Sequence, residues 1–383
     1  MKKIAIIGAG ISGLYIANLL RQNSNYEIMV FEKNNSINSE KGYGIQLSVN
    51  SIKLLNIIGF QSINSEEKFH PNKLDFYSLK NKKKICDVDI SVFNTNEAKY
   101  TTLQRFTLIN FLKERLPDNL INYNKKVIKI NYETENILLN FENNSSIKCD
   151  YLIISDGTFS NTKSLITNKK INPRYFNSIA LRAIIDKNSL KEINPDNISL
   201  SLGSNLHTVS YPINNSSAIN FVGIIRKKLT TKELSNHLMF ESKSFISSVL
   251  SEISKQIDPD IVKNLKDIRC FPIFVSSKEF QPVTKNTFFI GDAFFALPPT
   301  FAQGASQSIE VAHELYKNLE GETDKFNNER IRRIKMISIK SKFNYFVFHL
   351  SNPAIIWIRN IIMSYLVKNK KFINNYLGKI YKD

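Results

Sequence analysis

Cysteine is scarce in this chain. Only 3 of the 383 residues are cysteines, and Cys86, Cys149 and Cys270 lie far apart without a C-x-x-C pair. This spacing excludes a disulfide framework and a thiolate zinc site, and it favours a reducing compartment. The 5 histidines are also isolated, so no His-x₃-His pair or His/Cys cluster indicates a metal centre. We therefore predict no bound metal ion.

Long apolar runs are also lacking. The apolar segment near the N-terminus is broken by glycines, whereas a secretory signal needs a longer apolar core and a small-residue cleavage site. The most apolar stretch of the C-terminal part, residues 343–367, contains His349, Pro353 and Arg359, which make it a poor membrane-spanning helix. The sequence thus predicts a cytoplasmic protein without a targeting peptide.

Acidic residues are outnumbered by basic ones. The 52 lysines and arginines exceed the 34 acidic residues and give a formal net charge of +18. Such an excess is compatible with nucleic acid, an anionic membrane surface or acidic substrates as partners. The lysines are scattered, however, and no aromatic–basic RNA or DNA module is present, so we do not expect nucleic-acid binding. The hydrophobic fraction of 42% is that of an ordinary globular protein. The length of 383 residues predicts two or three domains, or one large domain with an insertion.

The N-terminal segment has the pattern of a dinucleotide-binding βαβ unit. A β-branched run at residues 4–7 leads into a glycine turn at residues 8–13, apolar residues then recur at helical spacing, and a second strand ends in Glu32. Gly8 permits the tight turn, Gly10 lets a pyrophosphate approach the backbone, and Gly13 lets the helix pack on the strand. The Glu32 carboxylate accepts from a ribose hydroxyl and would repel a 2′-phosphate. The site therefore favours FAD or NAD over NADP.

Three later segments distinguish between these cofactors. GYGIQLSVN occupies residues 42–50 and DYLIISDGTFS residues 150–160. The third segment begins with FFIGDA at residues 288–293 and continues through a proline turn to QGASQSIE at residues 303–310. A plain NAD-dependent dehydrogenase would have no use for this third segment.

Together these motifs resemble those of the single-component FAD-dependent aromatic hydroxylases, the flavoprotein monooxygenases related to salicylate hydroxylase and p-hydroxybenzoate hydroxylase. GAGISG is similar to the first FAD motif, GYGIQLSVN to the GxGIQLxPN segment and LQRFTL at residues 103–108 to the hRxxL segment. SDGTFSNTK is similar to the DG motif, and GDAFFALPPTFAQGASQSIE to the GD motif. The resemblance covers nearly the whole chain, including the tail around residues 348–360.

The resemblance implies roles for individual residues in FAD binding. Asp292 would bind the ribityl chain, Pro299 would lie against the flavin, and the helix that begins near residue 303 would point its N–H groups at the pyrimidine edge. Arg105 would face the pyrophosphate, and Asp156 would lie between it and the nicotinamide donor. The cofactor-binding residues expected from the glycine motif and the resemblance are Gly8, Gly10, Ser12, Gly13, Glu32, Lys33, Gly44, Arg105, Val127, Asp156, Asp292, Pro299, Gly304 and Ala305.

The chain departs from the family pattern at several positions. Phe295 replaces a histidine of the GD motif. Phe294 and Phe295 form a bulky aromatic pair, and we expect this pair to change the shape of the pocket. Ser306 replaces an asparagine and Ser155 an alanine. Lys163 replaces an arginine, which keeps the charge but loses the planar fork, and this departure concerns docking of the nicotinamide donor rather than FAD binding.

Two residues match positions that are proposed as catalytic in salicylate-hydroxylase-like enzymes. Arg182 is suited to hold a substrate carboxylate or phenolate, and Tyr211 is suited to relay a proton from a phenol. The alternative is structural: an arginine at a domain interface and a buried, hydrogen-bonded tyrosine. We expect His207 to face solvent or the domain interface rather than to act as a base.

The predicted fold class is α/β, with a Rossmann-like FAD-binding domain, an inserted, mostly antiparallel substrate-binding sheet domain and a C-terminal helical segment. The expected boundaries are 1–72, 98–174 and 272–325 for the FAD-binding domain, 73–97 and 175–271 for the substrate domain, and 326–383 for the helices. Short β-rich runs between residues 174 and 272 carry this assignment.

The function implied by the resemblance is a monooxygenase that uses FAD, NADH or NADPH, and O₂ to hydroxylate an aromatic or other electron-rich small molecule through a C4a-hydroperoxyflavin. Alternatives are a flavin reductase or dehydrogenase of the geranylgeranyl-reductase type and a non-catalytic flavin-binding regulatory protein. Expected partners are a small aromatic or hydrophobic substrate and O₂. We expect the protein itself to be a monomer or a homodimer. The basic region after residue 326 packs on the FAD domain or, alternatively, contacts a membrane surface.

Overall fold

A computed structural model of the protein describes residues 1–37, 42–186, 194, 196–277, 286–323 and 326–381. The strands, in chain order, are β1 (Lys2–Ile7), β2 (Tyr26–Phe31), β3 (Gly44–Leu47), β4 (Lys68–Phe69), β5 (Lys73–Ser78), β6 (Lys84–Asp89), β7 (Thr101–Gln104), β8 (Ile121–Asn122), β9 (Val127–Tyr132), β10 (Ile137–Phe141), β11 (Ser146–Cys149), β12 (Tyr151–Ile154), β13 (Arg174–Asp186), β14 (Ile198–Gly203), β15 (Leu206–Ile213), β16 (Ala218–Arg226), β17 (Lys266–Val275) and β18 (Thr287–Phe289).

The α-helices, in chain order, are α1 (Ile11–Leu20), α2 (Val49–Asn56), α3 (Arg105–Glu114), α4 (Asn161–Thr167), α5 (Thr231–Ser235), α6 (Lys243–Ser254), α7 (Pro259–Lys263), α8 (Gly291–Phe295), α9 (Gly304–Leu319), α10 (Phe326–Phe348), α11 (Pro353–Leu366), α12 (Lys370–Ile373) and α13 (Lys379–Tyr381). Within the described ranges, none of these helices combines the length and the apolarity that crossing a bilayer requires.

A five-stranded parallel sheet forms the first layer. Its strand order is β18-β12-β1-β2-β8, with β1 paired to β2 on one side and to β12 on the other. Ile4, Ala5 and Ile6 of β1 are fully buried, as expected for a parallel strand covered on both faces. Helices α1 and α9 pack on one face, while the antiparallel sheet of β9, β10 and β11 packs near the other. The carboxyl ends of β1, β12 and β18 therefore lie side by side.

A seven-stranded sheet forms the second layer. Its order is β17-β13-β16-β15-β14-β5-β6, and every pairing is antiparallel except that of β14 with β5. The strands that the sequence predicts between residues 174 and 272 are present, and β5 and β6 join them as expected. Helix α6 covers one face through Val249 and Ile253. The α/β fold class is thus confirmed, while the domain boundaries stay predictions and the boundary at residue 325 lies outside the described residues.

The C-terminal helices close the gap between the two layers. They are fixed by a buried polar network around Glu310 of α9, whose carboxylate accepts hydrogen bonds from Arg330, Arg333, Asn50 and Gln307. Burial alone would raise the pKa of Glu310, but the two arginines outweigh this and hold its pKa below the ordinary value. Arg330 is itself fully buried and also binds Gln307 and Glu314. This network ties α2, α9 and α10 into one unit.

We expect the substitution Arg330→Met to lower the free energy of unfolding by about 3–5 kcal/mol, because it leaves a buried carboxylate without its main partner. Chemical denaturation followed by circular dichroism measures this loss. Arg332→Met, on the exposed side of the same helix, is the matched control and should change stability by less than about 0.5 kcal/mol. Equal effects of the two substitutions would contradict the assigned role of the network.

Candidate active site

The glycine turn after β1 is shaped by close backbone contacts. Gly8 has a φ of +98°, and a Cβ there would lie 2.6 Å from the Ser155 carbonyl oxygen. A Cβ on Gly13 would lie 2.1 Å from the Gly8 carbonyl oxygen. Ser155, the departure from alanine, donates its hydroxyl to the carbonyl oxygens of Ile7 and Gly8 at 2.8 Å. These contacts hold the turn against the end of β12.

The same turn leaves open space where a phosphate group would need it. Nothing lies within 4 Å of a Cβ placed on Gly10, the residue that precedes α1. The N–H groups of the first turn of α1 are therefore approachable, which suits an anionic pyrophosphate. Ser12 is buried beneath the GD segment, where a Cβ on Gly291 would lie 2.5 Å from its hydroxyl oxygen.

Glu32 lies beyond the end of β2, as a ribose-binding acid requires. Its carboxylate accepts from the backbone N–H of Ala9 at 3.1 Å and of Asn34 at 3.0 Å. This fixes the carboxylate beside the glycine turn. Of the other two expected residues nearby, Lys33 is exposed and Val127 is buried in the core at the start of β9.

Two carboxylates and a lysine meet where the DG and GD segments approach each other. Asp156 accepts from the Thr162 hydroxyl at 2.7 Å, whereas its other carboxylate oxygen is buried without a hydrogen bond to any described residue. Asp292 accepts from Thr158 at 3.1 Å. Lys163 is buried beside both acids; burial lowers its pKa, and the acids oppose that shift.

Asp292 lies in the wall of a cavity, and its neighbours there affect its pKa. Its side chain is open to a cavity but is otherwise surrounded by protein, and this burial raises its pKa. Thr158, Lys163 and Arg105 act in the opposite direction. Arg105, the first residue of α3, also interacts electrostatically with Arg182. Lys163 and Arg105 thus place positive charge near Asp292.

A cavity of about 470 Å³ extends from Asp292 to the inner face of the seven-stranded sheet. It brings together seven residues expected from the sequence: Gly44, Arg182, Tyr211, Asp292, Pro299, Gly304 and Ala305. The remainder of its wall is mostly apolar. Gly304 has open space at its Cβ position, at the N-terminus of α9. The remaining cofactor residues expected from the sequence are not part of this wall.

Arg182 and Tyr211 differ in how they are held. The Arg182 guanidinium lies 5.7 Å from the centroid of the Tyr43 ring and makes no hydrogen bond to a described residue. Tyr211 is buried against Gly44, where a Cβ would come within 2.8 Å of the tyrosine ring. Burial raises the pKa of Tyr211, while Arg182 and a hydrogen bond from Gln46 act in the opposite direction. Gln46 also accepts from Tyr100 at 2.9 Å, and Tyr100 is hydrogen-bonded to Tyr381.

A histidine pair lies beside this cavity. The expectation that His207 faces solvent is wrong, whereas the alternative of a domain-interface position fits its contact with His349 of the C-terminal segment. His207 of β15 is buried, lines the cavity and lies 2.7 Å from His349, measured from Nδ1 to Nε2. Burial lowers the pKa of His207 to about 3, and burial together with His207 and Arg226 lowers that of His349 to about 2. Sequence reasoning missed the pair because its members are 142 residues apart, and neither residue indicates the other as its partner.

The departures at the GD motif lie in the core next to the large cavity. Phe294 and Phe295 are buried in the cluster beneath α8, and neither is among the described residues that line the large cavity. They line a small adjoining cavity that shares Asp292, Leu297 and Gly304 with the large one, so the expected change of pocket shape stays a prediction. Ser306 accepts from the Ser48 backbone N–H at 3.0 Å and contacts Ser51, so it joins α9 to α2.

Comparison with solved structures identifies the fold. Klebsiella pneumoniae HpxO, in a structure with FAD and uric acid, superposes with a TM-score of 0.83 over 99% of this chain and 96% of its own, at 16% identity. A salicylate hydroxylase substrate complex gives a TM-score of 0.78 over 100% of this chain and 95% of its own, also at 16% identity. The chain has the fold of the FAD-dependent aromatic hydroxylases.

Sequence comparison agrees with this assignment. The family described as an NAD(P)-binding Rossmann-like domain matches residues 6–40 of this hydroxylase-like chain. Salicylate hydroxylase from Pseudomonas putida is 22% identical over 347 residues, which are 83% of this chain and 77% of the relative. The 6-hydroxynicotinate 3-monooxygenase of Pseudomonas fluorescens is 26% identical over 191 residues, about half of each chain. The resemblance to flavoprotein aromatic hydroxylases is confirmed.

Gly10 and Gly13 should respond differently to alanine. The methyl group of Gly10→Ala would contact no protein atom, so we expect unchanged thermal stability. We expect at least tenfold weaker FAD binding, because this methyl group occupies the space through which the phosphates approach the backbone. Gly13→Ala meets the Gly8 carbonyl and should lower the melting temperature. Thermal denaturation and FAD titration measure the two effects. Loss of stability in Gly10→Ala with unchanged FAD affinity would refute this division of roles.

The histidine pair should make stability depend on pH. Below the unfolded-state pKa of about 6.5, the unfolded chain binds protons that the folded chain excludes, so stability falls as the pH drops. Between pH 7.5 and 5.0 we expect the free energy of unfolding to fall by about 4 kcal/mol more than in a His207→Gln/His349→Gln variant, about 2 kcal/mol for each histidine. Urea denaturation at each pH measures this difference.

His237 is exposed and serves as the control for the pH series. A His237→Gln variant should keep the pH dependence of the original protein. If the double variant kept it as well, the buried pair would not be its source.

Proposed function

We propose that this protein is an FAD-dependent monooxygenase that uses NADH or NADPH and O₂ to hydroxylate an aromatic or otherwise electron-rich small molecule. One observation carries the proposal: residues suited to hold a flavin and residues suited to hold a substrate line the same apolar cavity. In such a reaction the donor supplies two electrons, one oxygen atom enters the substrate and the other leaves as water.

The residues present fit FAD. The open space at Gly10, the fixed carboxylate of Glu32 and the unpartnered oxygen of Asp156 suit the adenosine and pyrophosphate part. Asp292, Pro299, Gly304 and Ala305 would hold the isoalloxazine end at the cavity. When bound, FAD supplies the activation of O₂ and the transfer of the oxygen atom. The apolar wall of the cavity excludes water from that chemistry.

Arg182 would recognise the anionic part of the substrate. Its guanidinium faces the cavity without a hydrogen bond to a described residue, and the ring of Tyr43 holds it in place. Two relatives carry salicylate and 6-hydroxynicotinate in their names, and both compounds are planar aromatic acids with a hydroxyl group. We infer a substrate of this general class, a small aromatic acid or phenol.

Tyr211 would exchange a proton with the substrate. Its raised pKa keeps the phenol protonated at neutral pH. Because Gln46 donates to the tyrosine oxygen, the Tyr211 hydroxyl hydrogen stays available to a group in the cavity. The structural alternative of a merely buried tyrosine predicts no effect on the reaction, which allows a direct test.

A nicotinamide donor would reduce the flavin and leave, since no second nucleotide motif is present in the sequence. Lys163, buried beside Asp156 and Asp292, would contribute positive charge near the donor. We further propose a cytoplasmic location, which the free cysteines favour. The oligomeric state, monomer or homodimer, stays a prediction.

Absorbance spectroscopy of the purified protein tests the proposal. We expect oxidised-flavin bands, directly or after reconstitution with FAD, that bleach when NADH or NADPH is added without oxygen. Hydroxylated product should then form from one of a set of aromatic acids and phenols under O₂. A protein that binds no FAD, or whose flavin neither donor reduces, would contradict it.

Variants of the two substrate residues should separate binding from chemistry. Tyr211→Phe should retain FAD and lower kcat for hydroxylation by about a hundredfold. Arg182→Gln should mainly raise KM for an anionic substrate. Tyr175→Phe is the matched control, because the Tyr175 hydroxyl binds the Lys227 carbonyl outside the cavity. Normal kinetics in Tyr211→Phe would leave only the structural role.

A further inference from the structure

Helix α11 presents an apolar face to solvent. Among its side chains, Trp357 is 67% and Tyr365 is 74% exposed, and four isoleucines are about half exposed: Ile355, Ile358, Ile361 and Ile362. Their spacing of three and four residues places most of them along one side of the helix. An exposed apolar face of this length is unusual for a free protein surface and marks a contact site.

Helix α10 continues this surface. Its exposed residues Ile339, Phe343 and Phe346 lie on one side, preceded there by Arg332 and Lys335. The two helices are joined by a short turn and by a hydrogen bond from the Arg359 guanidinium to the Val347 carbonyl at 3.2 Å. We call the exposed side chains of both helices the C-terminal apolar surface.

A groove with basic and aromatic walls lies beside this surface. It encloses about 460 Å³ between the β5–β6 hairpin and α11, and its lining includes Lys83, Lys84, Lys368, Trp357 and Tyr365. Lys84 is paired with Asp75 and Asp87, so Lys83 and Lys368 provide the charge. Lysines next to Trp and Tyr side chains are the composition found where proteins meet lipid headgroups.

The charge of the region is complementary to an anionic surface. Residues 326–381 contain 11 lysines and arginines, and Glu329 is their one acidic residue. Arg330 and Arg333 are used internally by Glu310, but Lys335, Lys342, Lys368, Lys370 and Lys371 are exposed. A second copy of this chain would bring the same positive charge to the contact, which disfavours self-association through this surface.

The surface adjoins the large cavity. Phe343 is both 57% exposed and part of the cavity wall. On α11, Met363 and Leu366 line the cavity from inside while Ile362 and Tyr365 face solvent. One helix therefore separates the cavity from the outside.

We propose that the C-terminal apolar surface docks on an anionic phospholipid bilayer, with α11 lying in the interface plane and the mouth of the cavity near Phe343 facing the lipid. The apolar side chains enter the headgroup region, and the flanking lysines bind lipid phosphates. If the proposed function holds, a substrate that partitions into the bilayer reaches the cavity without crossing water.

The chain carries its own reporter for this contact. Trp357 is the one tryptophan of the sequence and lies at the centre of the surface. FAD-loaded protein is titrated with phosphatidylcholine vesicles containing phosphatidylglycerol. We expect a blue shift of the tryptophan emission, quenching by brominated lipid acyl chains, and co-flotation of protein with vesicles that weakens as salt is added. Pure phosphatidylcholine vesicles should bind much more weakly.

Variants locate the contact. Ile358→Ser/Ile361→Ser keeps the reporter and should weaken vesicle binding by about tenfold or more. Lys83→Gln/Lys368→Gln should weaken it by about fivefold for each lysine. The controls are Leu238→Ser, an exposed leucine elsewhere, and Lys129→Gln, an exposed lysine of β9. Both controls should bind as the original protein does.

Two results would overturn the proposal. The first is absence of binding to anionic vesicles at low salt by protein that retains its FAD spectrum. The second is a homodimer that the Ile358→Ser/Ile361→Ser variant converts to a monomer, with no vesicle binding in either form. Because the readouts are vesicle binding and tryptophan emission, failure of the hydroxylase chemistry would leave the membrane test unaffected.

Discussion

The parallel pairing of β1 with β12, and of β12 with β18, is the constraint on which the site depends. It brings three carboxyl ends to one edge of the sheet, so the glycine turn, the DG segment and the GD segment meet there. The contact is close enough that Gly8 and Gly13 admit no side chain, and Ser155 adds hydrogen bonds across it. Asp156 and Asp292 are near Lys163 because these strands end side by side.

The second layer contributes the side chains that are proposed to contact the substrate. The seven-stranded sheet contributes Arg182 and Tyr211 from its inner face, and the C-terminal helices close the far side of the cavity. The Glu310 network, a buried charge cluster, holds α10 to α9 and α2. The neutral histidine pair keeps the distal end of the cavity uncharged.

The proposed cofactor half of the site is predictable from sequence because its residues are local to strand ends. The roles proposed for Gly8, Gly10, Gly13 and Glu32 follow from their spacing alone. The His207–His349 pair and the Arg330–Glu310 bond arise from packing between distant segments, so no spacing of residues in the sequence predicts them. The effect of Phe295 on the pocket is harder to predict, because a motif position does not say which way a side chain points in a short helix such as α8.

The central claim is that one cavity brings a flavin and an aromatic substrate together so that oxygen passes between them. Isotope labelling tests this most directly: the FAD-loaded protein is given a nicotinamide donor, an aromatic acid that it converts and ¹⁸O₂. The account predicts a hydroxylated product that carries a single heavy oxygen atom from the gas. A product whose new oxygen comes from water, or donor oxidation without any oxygenated product from any aromatic acid or phenol tested, would contradict it.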